Sequence, residues 1–431
     1  MQKLVIAIPT YNSADIIDET LSLECEYWKD KNVDIHIYDS STDAKTSDVV
    51  TKWKDNGYDN LYYIRIDSTI HSNKKVYMIY RDLSGCNRYD FIWMRRDYTS
   101  YTTNTCEILL GELRDDVSII NIRKSDADDP GVRYYTDRNL YAKKYMVITT
   151  CYGDCILNVK TMLSDIDWGH YEKKYIESKA INFSHVGLYF ELLAKHKNVN
   201  MCNLGIDRSG YNDSKLKINS YWMSDVMRIY ATGWGELIQK LSEYYEGLYE
   251  LCDFSNSFFT VEKLIRYRNE NVLNIRILWR NRKWAKKCIG ANYSMALKLA
   301  LMPKRKVGKF VEEMNRDNIG GLNQFVKRYE NVYIYGIRKY GKFTYEQISC
   351  KEKVKAFIKT NPQAGENQFE GKEVIPFEQF LQIKSDGIGV IVAAGEDTRA
   401  EILSLLEKNG ITGNVFVNRP ILGKYGSVKS I

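Results

Sequence analysis

Short apolar runs alternate with amphipathic segments over the first hundred residues. Buried-strand patterns occur at residues 3–8, 33–38, 61–66 and 90–94, and helical patterns occupy the intervals at residues 13–26, 45–54 and 74–86. This alternation predicts an α/β fold with a mostly parallel sheet and helices on both of its faces. Ligands of such sheets bind beyond the carboxyl ends of the strands, so we expect the loops that follow the strands to carry the function.

The pattern becomes mixed and then helical along the middle of the chain. We predict strands near residues 119–122 and 146–150, a helix at 186–197, and helices throughout 220–328. A second alternating unit follows, with strands at residues 332–335, 354–358, 389–392 and 414–417 and a helix at 396–409. We therefore expect three regions, an α/β domain at 1–215, a helical basic region at 216–328 and a smaller Rossmann-like α/β domain at 329–431.

Composition narrows the class of protein. The chain has 431 residues, 44% of them hydrophobic and 27% charged, with only 6 prolines, which excludes disordered and collagen-like chains. Its 9 cysteines are scattered and form no C-x-x-C pair, so we expect a reducing, cytoplasmic location and no zinc or disulfide framework. No apolar stretch approaches the roughly 18 residues that a membrane-spanning helix needs.

Positive charge is concentrated in one segment. Residues 271–310 contain eleven Lys or Arg and no Asp or Glu, whereas the whole chain has a net charge of only +7. Tryptophans at positions 279 and 284 lie among these cations, a composition that suits the anionic surface of a membrane. The alternative is a helix that is packed by its tryptophans and has a solvated cationic face. We expect no nucleic-acid partner, because no nucleic-acid motif accompanies the charge.

Three loops that follow strands of the first domain carry polar motifs. They read Pro9-Thr10-Tyr11-Asn12, Asp39-Ser40-Ser41-Thr42-Asp43 and Arg95-Arg96-Asp97-Tyr98. Asp39 and Ser40 could simply cap the helix that follows them. Together, however, the motifs resemble those of the inverting nucleotide-sugar glycosyltransferases of family 2, which have the GT-A fold, over roughly the first 200 residues.

The resemblance implies a nucleotide-sugar donor, and a UDP-sugar is the donor that we expect. Family members place the residues that match Thr10 and Tyr11 against the nucleotide and use the acid that matches Asp39 to bind the base. A polar loop at residues 67–75 occupies the region that contributes a further nucleotide contact. The expected donor-binding residues are Pro9, Thr10, Tyr11, Asn12, Asp39, Asp67, Lys74, Arg95 and Arg96. For Asp67 and Lys74 the alternative is a solvated loop with a helix cap.

The loop after the fourth strand departs from the family pattern. Family members carry an Asp-x-Asp motif there that binds a divalent metal on the diphosphate, whereas this chain retains only Asp97. One carboxylate can still hold Mg²⁺ or Mn²⁺ together with phosphate oxygens and water, so we expect Asp97 to be the metal ligand and to be essential for catalysis. Alternatively, Arg95 and Arg96 could bind the diphosphate themselves. The Asp-x-Asp triplets at residues 126–128 and 165–167 lie elsewhere and are interpreted as chance matches.

An inverting transfer needs a general base near the acceptor hydroxyl. Family members place this base downstream of the metal loop, where Asp154 is our first candidate and Asp165 and Asp167 are the alternatives. His185 precedes a predicted helix and is a candidate metal ligand or acceptor contact; a capping or packing role is its other interpretation.

The C-terminal unit contains a turn that resembles the dinucleotide-binding motif. The segment Tyr335-Gly336-Ile337-Arg338-Lys339-Tyr340-Gly341 has Arg338 where the second glycine of that motif belongs, and the next strand ends in Lys359-Thr360-Asn361 rather than in an acid. We therefore expect no NAD cofactor. Support of the first domain, formation of a homo-oligomer or a nucleotide site of another kind remain as alternatives.

The resemblance to family 2 implies a glycosyltransferase (a hexosyltransferase-type enzyme) of polysaccharide biosynthesis. It would transfer a sugar from a nucleotide-sugar donor to a hydroxyl of a glycan or of a lipid-linked saccharide, with inversion, in the cytoplasm or at the inner face of the cell membrane. Two alternatives stay open, a non-catalytic protein that binds sugar nucleotides or glycans, and an NAD-linked oxidoreductase that acts through the C-terminal domain.

Overall fold

The computed structural model describes residues 2–122, 131–196, 198–206, 210–214, 221–362, 365–385 and 387–421. Its contacts divide the chain into two compact units. The first comprises residues 1–253 and 283–288, and the second comprises residues 254–282 and 289–431. Residues 216–328, which we expected to form a separate region, therefore contribute to both units.

The first unit is built on an eight-stranded mixed sheet of order β3-β2-β1-β4-β8-β6-β9-β7. Its strands are β1 (Leu4–Thr10), β2 (Val33–Asp39), β3 (Leu61–Arg65), β4 (Phe91–Met94), β6 (Ile119–Asn121), β7 (Gly131–Tyr135), β8 (Cys155–Asn158) and β9 (Met201–Gly205). The first four strands are parallel, whereas β8 runs antiparallel to both of its neighbours. A separate antiparallel pair joins β5 (Thr99–Tyr101) to β10 (Tyr211–Asp213).

Helices connect these strands and cover the sheet. They are α1 (Ala14–Trp28), α2 (Lys45–Asp55), α3 (Ser72–Gly85), α4 (Thr103–Gly111), α5 (Arg138–Tyr145), α6 (Val159–Met162), α7 (Trp168–Tyr171), α8 (Ser184–Lys195) and α9 (Trp234–Leu241). The connections from β1 to β2, β2 to β3 and β3 to β4 each contain one helix, as parallel neighbours require. Two π-helical segments, Glu172–Ile176 and Met227–Gly233, flank α7 and α9.

The apolar runs of the sequence form the centre of this unit. Every residue of β1 and β4 is buried, which is the pattern of strands that are covered on both faces. The apolar residues of α1 recur at helical spacing, and its buried face ends at Trp28, which is fully enclosed. The core therefore fixes β1, β2 and β4 side by side and aligns the loops that follow them.

The second unit contains a six-stranded sheet of order β13-β14-β12-β11-β15-β16, in which only β13 is antiparallel to its neighbour. The strands are β11 (Asn331–Tyr335), β12 (Val354–Lys359), β13 (Gln368–Phe369), β14 (Lys372–Pro376), β15 (Ile388–Val392) and β16 (Val415–Val417). Before it lie α10 (Val261–Asn269), α11 (Ile275–Arg280), α12 (Arg282–Ile289), α13 (Tyr293–Leu301) and α14 (Lys304–Arg328), of which α12 is divided between the units. The sheet itself carries α15 (Lys339–Gln347), α16 (Phe377–Ile383) and α17 (Glu396–Lys408).

The predicted α/β class and the separate C-terminal sheet are confirmed. The strand predicted at residues 146–150 is wrong, because this segment ends a helix and continues as a 3₁₀ turn, Ile148–Thr150. The hydroxyls of Thr149 and Thr150 donate to the carbonyls three residues before them, at 2.9 and 2.8 Å, so the β-branched side chains stabilise a turn. Within the described residues, no helix is long and apolar enough to cross a membrane.

Candidate functional site

The carboxyl ends of β1, β2 and β4 meet at one edge of the first sheet. Thr10 at the end of β1 pairs with Asp39 at the end of β2. On the other side of β1, Ala7 pairs with Met94, and the backbone N–H of Arg95 donates to the Ala7 carbonyl at 2.9 Å. The three polar motifs of the sequence therefore lie at one edge, as the alternating pattern predicts.

Four side chains form a polar cluster at this edge: Thr10, Ser40, Lys75 and Asp97. The Thr10 hydroxyl donates to Asp97 Oδ2 at 2.9 Å. Lys75 Nζ donates to the Thr10 carbonyl at 2.9 Å and to Ser40 Oγ at 2.7 Å. One ammonium and one carboxylate thus both contact Thr10 where the first strand ends, and backbone and hydroxyl groups hold them in place.

Burial shifts the pKa of both charged groups of the polar cluster toward their neutral forms. Lys75 is only 4% exposed, and desolvation lowers its pKa from 10.5 to about 8, against the opposing effect of Asp97 and Asp39. Desolvation likewise raises the pKa of Asp97, although the hydrogen bond from Thr10 and the charge of Lys75 oppose the shift. Because burial destabilises the charged form of Lys75, a further anion nearby would stabilise it. A phosphate group would be such an anion.

The first loop continues from the polar cluster to the surface. Pro9 is buried within β1, whereas Tyr11 is 52% exposed. Asn12 takes the left-handed conformation, with φ of 49°, which asparagine tolerates better than most residues. Its backbone N–H donates to Ser41 Oγ at 2.8 Å, and its side chain accepts from the Thr42 N–H at 3.1 Å. Asn12 therefore joins the first loop to the second and leaves the Tyr11 ring in solvent.

Asp39 is fully buried beneath the second loop. One of its oxygens accepts from the backbone N–H and the hydroxyl of Ser41, and the other accepts from the Tyr63 hydroxyl at 2.9 Å and from Arg65 Nη1 at 3.0 Å. These contacts show that Asp39 organises its loop from beneath.

Arg95 does not reach the polar cluster. Its side chain is 1% exposed and forms an ion pair with Glu24 of α1, which is 3% exposed. Glu24 also accepts from the backbone N–H of Tyr101 at 2.6 Å and from Trp28 Nε1 at 3.2 Å. This placement corrects the expectation that both arginines face the diphosphate, because Arg95 anchors the end of β4 to α1.

Arg96 pairs with Asp154, not with Glu24. Its Nη2 lies 3.3 Å from Asp154 Oδ1, and its Nη1 donates to the Tyr98 hydroxyl at 3.1 Å. Asp154 is only 1% exposed, whereas 12% of the Arg96 side chain remains accessible. The structure therefore places Asp154 behind Arg96, where it positions the guanidinium and is not presented to an acceptor hydroxyl as a base would be.

The loop before α3 holds Asp67 and Lys74 at the surface. Asp67 is exposed and accepts from the backbone N–H and the hydroxyl of Thr69, both at 2.8 Å, and these hydrogen bonds lower its pKa. Lys74 forms an ion pair with Glu172 at 3.1 Å. Neither side chain joins the polar cluster, and the cation that does so is Lys75, the next residue.

His185 lies inside the protein, on α8. Its Nε2 is 3.1 Å from the carbonyls of Thr149 and Thr150, and burial lowers its pKa to about 4. Two carbonyl acceptors fix the proton on Nε2, so this nitrogen cannot ligate a metal. The packing role that the sequence left open is the one that these contacts support.

The residues that could hold a metal ion are few. Across the described ranges, no three His, Cys, Asp or Glu side chains lie close enough together to share one. Asp97 is the carboxylate that the polar cluster offers. The alternative bases do not join it, since Asp165 accepts from Ser164 at 3.3 Å and Asp167 caps the helix α7. The triplet at residues 126–128 lies outside the described residues.

Lys75 is a candidate site residue that the sequence pattern indicates but that the analysis of the motifs did not include. In α3 the buried apolar residues are Val76, Tyr77, Ile79, Tyr80 and Leu83. Lys75 lies four residues before Ile79 and shares its inward face, whereas Lys74 lies four before the half-buried Met78. The helical spacing of the sequence therefore indicates Lys75, rather than Lys74, as the lysine on the buried face of α3.

Comparison with known proteins identifies similar solved structures at low similarity. Staphylococcus aureus TarS matches with a TM-score of 0.38 and 14% identity, over 68% of this chain and 50% of that chain. A shorter form, TarS 1–349 in complex with UDP-GlcNAc, matches with a TM-score of 0.40 over 69% of this chain and 90% of that chain, at 14% identity. This chain therefore spans about half the length of full TarS.

Two further matches are enzymes described with bound metal and nucleotide. Glucosyl-3-phosphoglycerate synthase from Mycobacterium tuberculosis, in complex with Mn²⁺, UDP and glucosyl-3-phosphoglycerate, has a TM-score of 0.34 and 11% identity over 56% of this chain and 80% of that chain. The mannosyltransferase PcManGT from Pyrobaculum calidifontis, in complex with GDP-Man and Mn²⁺, has a TM-score of 0.32 and 11% identity over 69% of this chain and 73% of that chain. No family model matches the chain. No curated protein matches it either.

Proposed function

We propose that the chain is a GT-A-type glycosyltransferase that uses a nucleotide-sugar donor, with a UDP-sugar as the first candidate. The observation that carries the proposal is the polar cluster, in which Lys75 and Asp97 both contact Thr10 at the carboxyl edge of the parallel strands. Nucleotides bind at such edges. A buried ammonium beside a carboxylate supplies what a nucleoside diphosphate leaving group requires, a cation for its phosphates and an anchor for a divalent metal.

Lys75 and Arg96 would offset the charge that develops on the diphosphate. Both are cations held by fixed partners, Lys75 by Thr10 and Ser40 and Arg96 by Asp154. Fixed donors in a poorly solvated site stabilise developing charge more than mobile ones do, because they need little reorganisation during the reaction. The exposed ring of Tyr11 would contact the nucleoside.

The residues present fit a divalent metal through Asp97 alone. Its Oδ2 accepts from Thr10, which orients the carboxylate. Mg²⁺ is often bound by one or two protein carboxylates together with substrate phosphates and water. Bound there, the metal would neutralise charge on the diphosphate. We therefore propose Mg²⁺ or Mn²⁺ as the cofactor.

The reaction that we propose is a single displacement with inversion onto a hydroxyl of a glycan or of a lipid-linked saccharide. The buried ion pair of Asp154 removes it from the role of base, and we reassign it as a positioning residue for Arg96. This reassignment keeps Asp154 functionally important while it changes the expected defect, since its loss would weaken donor binding rather than proton transfer.

The test compares two adjacent lysines. Binding of UDP and of a panel of UDP-sugars to the purified chain is measured by calorimetry with and without Mn²⁺, for the wild type, Lys75→Met and Lys74→Met. We expect Lys75→Met to weaken binding by roughly 10- to 100-fold, because a hydrogen bond to a charged group contributes about 1.5–3 kcal/mol. Lys74→Met removes an ion pair with Glu172 and should leave the affinity unchanged.

The outcomes separate the proposal from its alternatives. Release of UDP from the tightest-binding sugar nucleotide, with transfer to a saccharide acceptor, supports the transferase. Binding without turnover over a broad set of acceptors favours a non-catalytic sugar-nucleotide-binding protein. Equal affinity in the two lysine variants would show that the polar cluster is not the donor site.

A further inference from the structure

The second unit contains a cleft at the point where its strand order reverses. The strand β11 pairs with β12 on one side and with β15 on the other. The cleft has a volume of about 350 Å³ and is lined by residues that follow the carboxyl ends of these three strands. In open parallel sheets, ligands bind at such a switch point, and the volume is in the range of small-molecule sites.

Two glycines shape the turn that forms the floor of this cleft. A Cβ on Gly336, whose φ is 119°, would lie 2.3 Å from the Ala393 carbonyl oxygen. A Cβ on Gly341 would lie 2.3 Å from the Gly336 carbonyl oxygen, so only glycine lets α15 pack this closely against the turn. These are the first and third glycines of a dinucleotide-binding turn, and both retain the role that such a turn needs.

The middle position differs and changes the ligand that the turn can accept. Arg338 stands where the second glycine would allow a pyrophosphate to approach the backbone, and it keeps a positive φ of 75°. Its Cβ blocks that approach, while its guanidinium brings a forked donor to the same place. Among the described residues Arg338 has no side-chain partner and is exposed, so its charge is available to a ligand.

Among the described residues that line the cleft, the other charged side chains are also positive. Its lining includes Lys339 and Lys359, and no described lining residue is acidic. Lys359 ends β12 and pairs with Glu366, beside Thr360, whose hydroxyl is 2.9 Å from the Tyr335 hydroxyl. NAD sites place an acid at this strand end to bind the ribose diol, so a cation here disfavours NAD and favours phosphate.

The cleft also has apolar walls, which a free phosphate would not need. They are formed by side chains that include Ile337, Ile358 and Ile402. A ligand that uses both parts of the site has a flat apolar group and a terminal phosphate. We propose that this cleft is a nucleotide-binding site that takes a nucleotide with a terminal phosphate monoester, held by Arg338 and Lys359.

The site lies in a different unit from the polar cluster, and the inference does not depend on the proposed transferase activity. The test uses the full chain and equilibrium binding of the four nucleoside 5′-monophosphates, NAD⁺ and inorganic phosphate. All are measured in the wild type and again in Lys75→Met, which disables the proposed donor site. Binding of a monophosphate that persists in Lys75→Met, with NAD⁺ and phosphate at least tenfold weaker, is the expected result.

Arg338→Gly provides the decisive variant. It puts glycine at a position with left-handed backbone conformation, so the melting temperature should stay the same or rise. The affinity for the monophosphate should fall by at least tenfold, because the guanidinium is lost. Lys342→Met is the matched control on α15, because Lys342 pairs with Glu370 rather than lining the cleft. The assignment would be overturned by unchanged affinity in Arg338→Gly or by phosphate or NAD⁺ binding as tightly as every monophosphate. Loss of binding in Lys75→Met, or no binding at all, would overturn it as well.

Discussion

Lys74 and Lys75 show how strongly the surroundings of a side chain determine its contacts and its pKa. The two residues have the same chemistry and differ by one step along α3, yet one meets Glu172 in solvent and the other lies under Thr10 and Ser40. Burial lowers the pKa of Lys75 from 10.5 to about 8. The positive charge of Lys75 can therefore be removed by raising the pH, within two pH units of neutrality.

This pKa predicts how donor binding depends on pH. The ammonium is present below about pH 8 and is lost above it, so the affinity of the free protein for UDP should fall as the pH rises through that value. Calorimetry from pH 6.5 to 9.5 measures the effect. Lys75→Arg keeps its charge throughout this range and should remove the decline, whereas a merely structural lysine would leave the same pH profile in both proteins.

The same titration affects stability with a definite sign. The folded pKa of Lys75 lies below the unfolded value, so the buried charge is unfavourable below about pH 8, and this penalty is relieved as the pH rises toward 10.5. Loss of donor affinity above pH 8 therefore cannot arise from this group through unfolding.

Individual side chains are also where prediction from sequence is weakest. The sequence identifies Asp39, Arg95 and Asp97 as post-strand polar residues, but it does not say which way each one points. Arg95 and Arg96 are neighbours in the same loop, yet one pairs with Glu24 and the other with Asp154. The choice depends on an acid in α1 and an acid before β8, and both are brought there only by the tertiary fold.

Helices and strands were easier to predict than side-chain directions, because the spacing of hydrophobic residues is a local property of the sequence. The strands of the parallel half and of the C-terminal sheet follow from runs of buried residues with helices between them. Residues 146–150 have the composition of a strand, yet they form a turn because two threonine hydroxyls bond back to carbonyls of the preceding turn. Strand propensity yields to such competing hydrogen bonds.

The junction between α1 and β4 gives a prediction at the scale of elements. Glu24 and Arg95 form an ion pair that is almost fully buried, so Arg95→Met leaves an uncompensated carboxylate in the core. We expect the free energy of unfolding to fall by about 3–5 kcal/mol. Urea denaturation measures this change.

The control for this prediction is the double variant Glu24→Gln with Arg95→Met. Glutamine removes the charge and keeps an acceptor for the Tyr101 N–H, so much of the lost stability should return. A similar loss in the single and double variants would contradict the ion-pair explanation. Lys52→Met, which removes an exposed pair with Asp18, should change stability by less than about 1 kcal/mol.

At the scale of the whole molecule, the charge is distributed unevenly along the chain. Residues 271–310 contain eleven cations and no acid. The two tryptophans of this segment differ, since Trp284 is 6% exposed and donates to Glu236 at 3.0 Å, whereas Trp279 is 67% exposed. The packed-helix interpretation therefore applies to Trp284, and Trp279 is the residue that could enter a membrane surface.

We propose that this segment binds anionic membrane surfaces, where a lipid-linked acceptor would be found. The full chain should co-sediment with vesicles that contain anionic lipid and remain in solution with purely zwitterionic vesicles. Raising the ionic strength should weaken binding, because each cation near the surface contributes about 1 kcal/mol at physiological salt. Equal binding to both vesicle types, or binding to neither, would contradict the proposal.

Trp279→Ala separates insertion from simple charge attraction. Partial burial of the indole in the headgroup region contributes about 1.4 kcal/mol, so its removal should weaken vesicle binding roughly tenfold. Leu23→Ala is the matched control, because Leu23 is 57% exposed and lies on α1, outside the cationic segment. If both variants bind like the wild type, Trp279 has no part in the contact. If Trp279→Ala alone is weakened, the cationic segment inserts into the membrane surface.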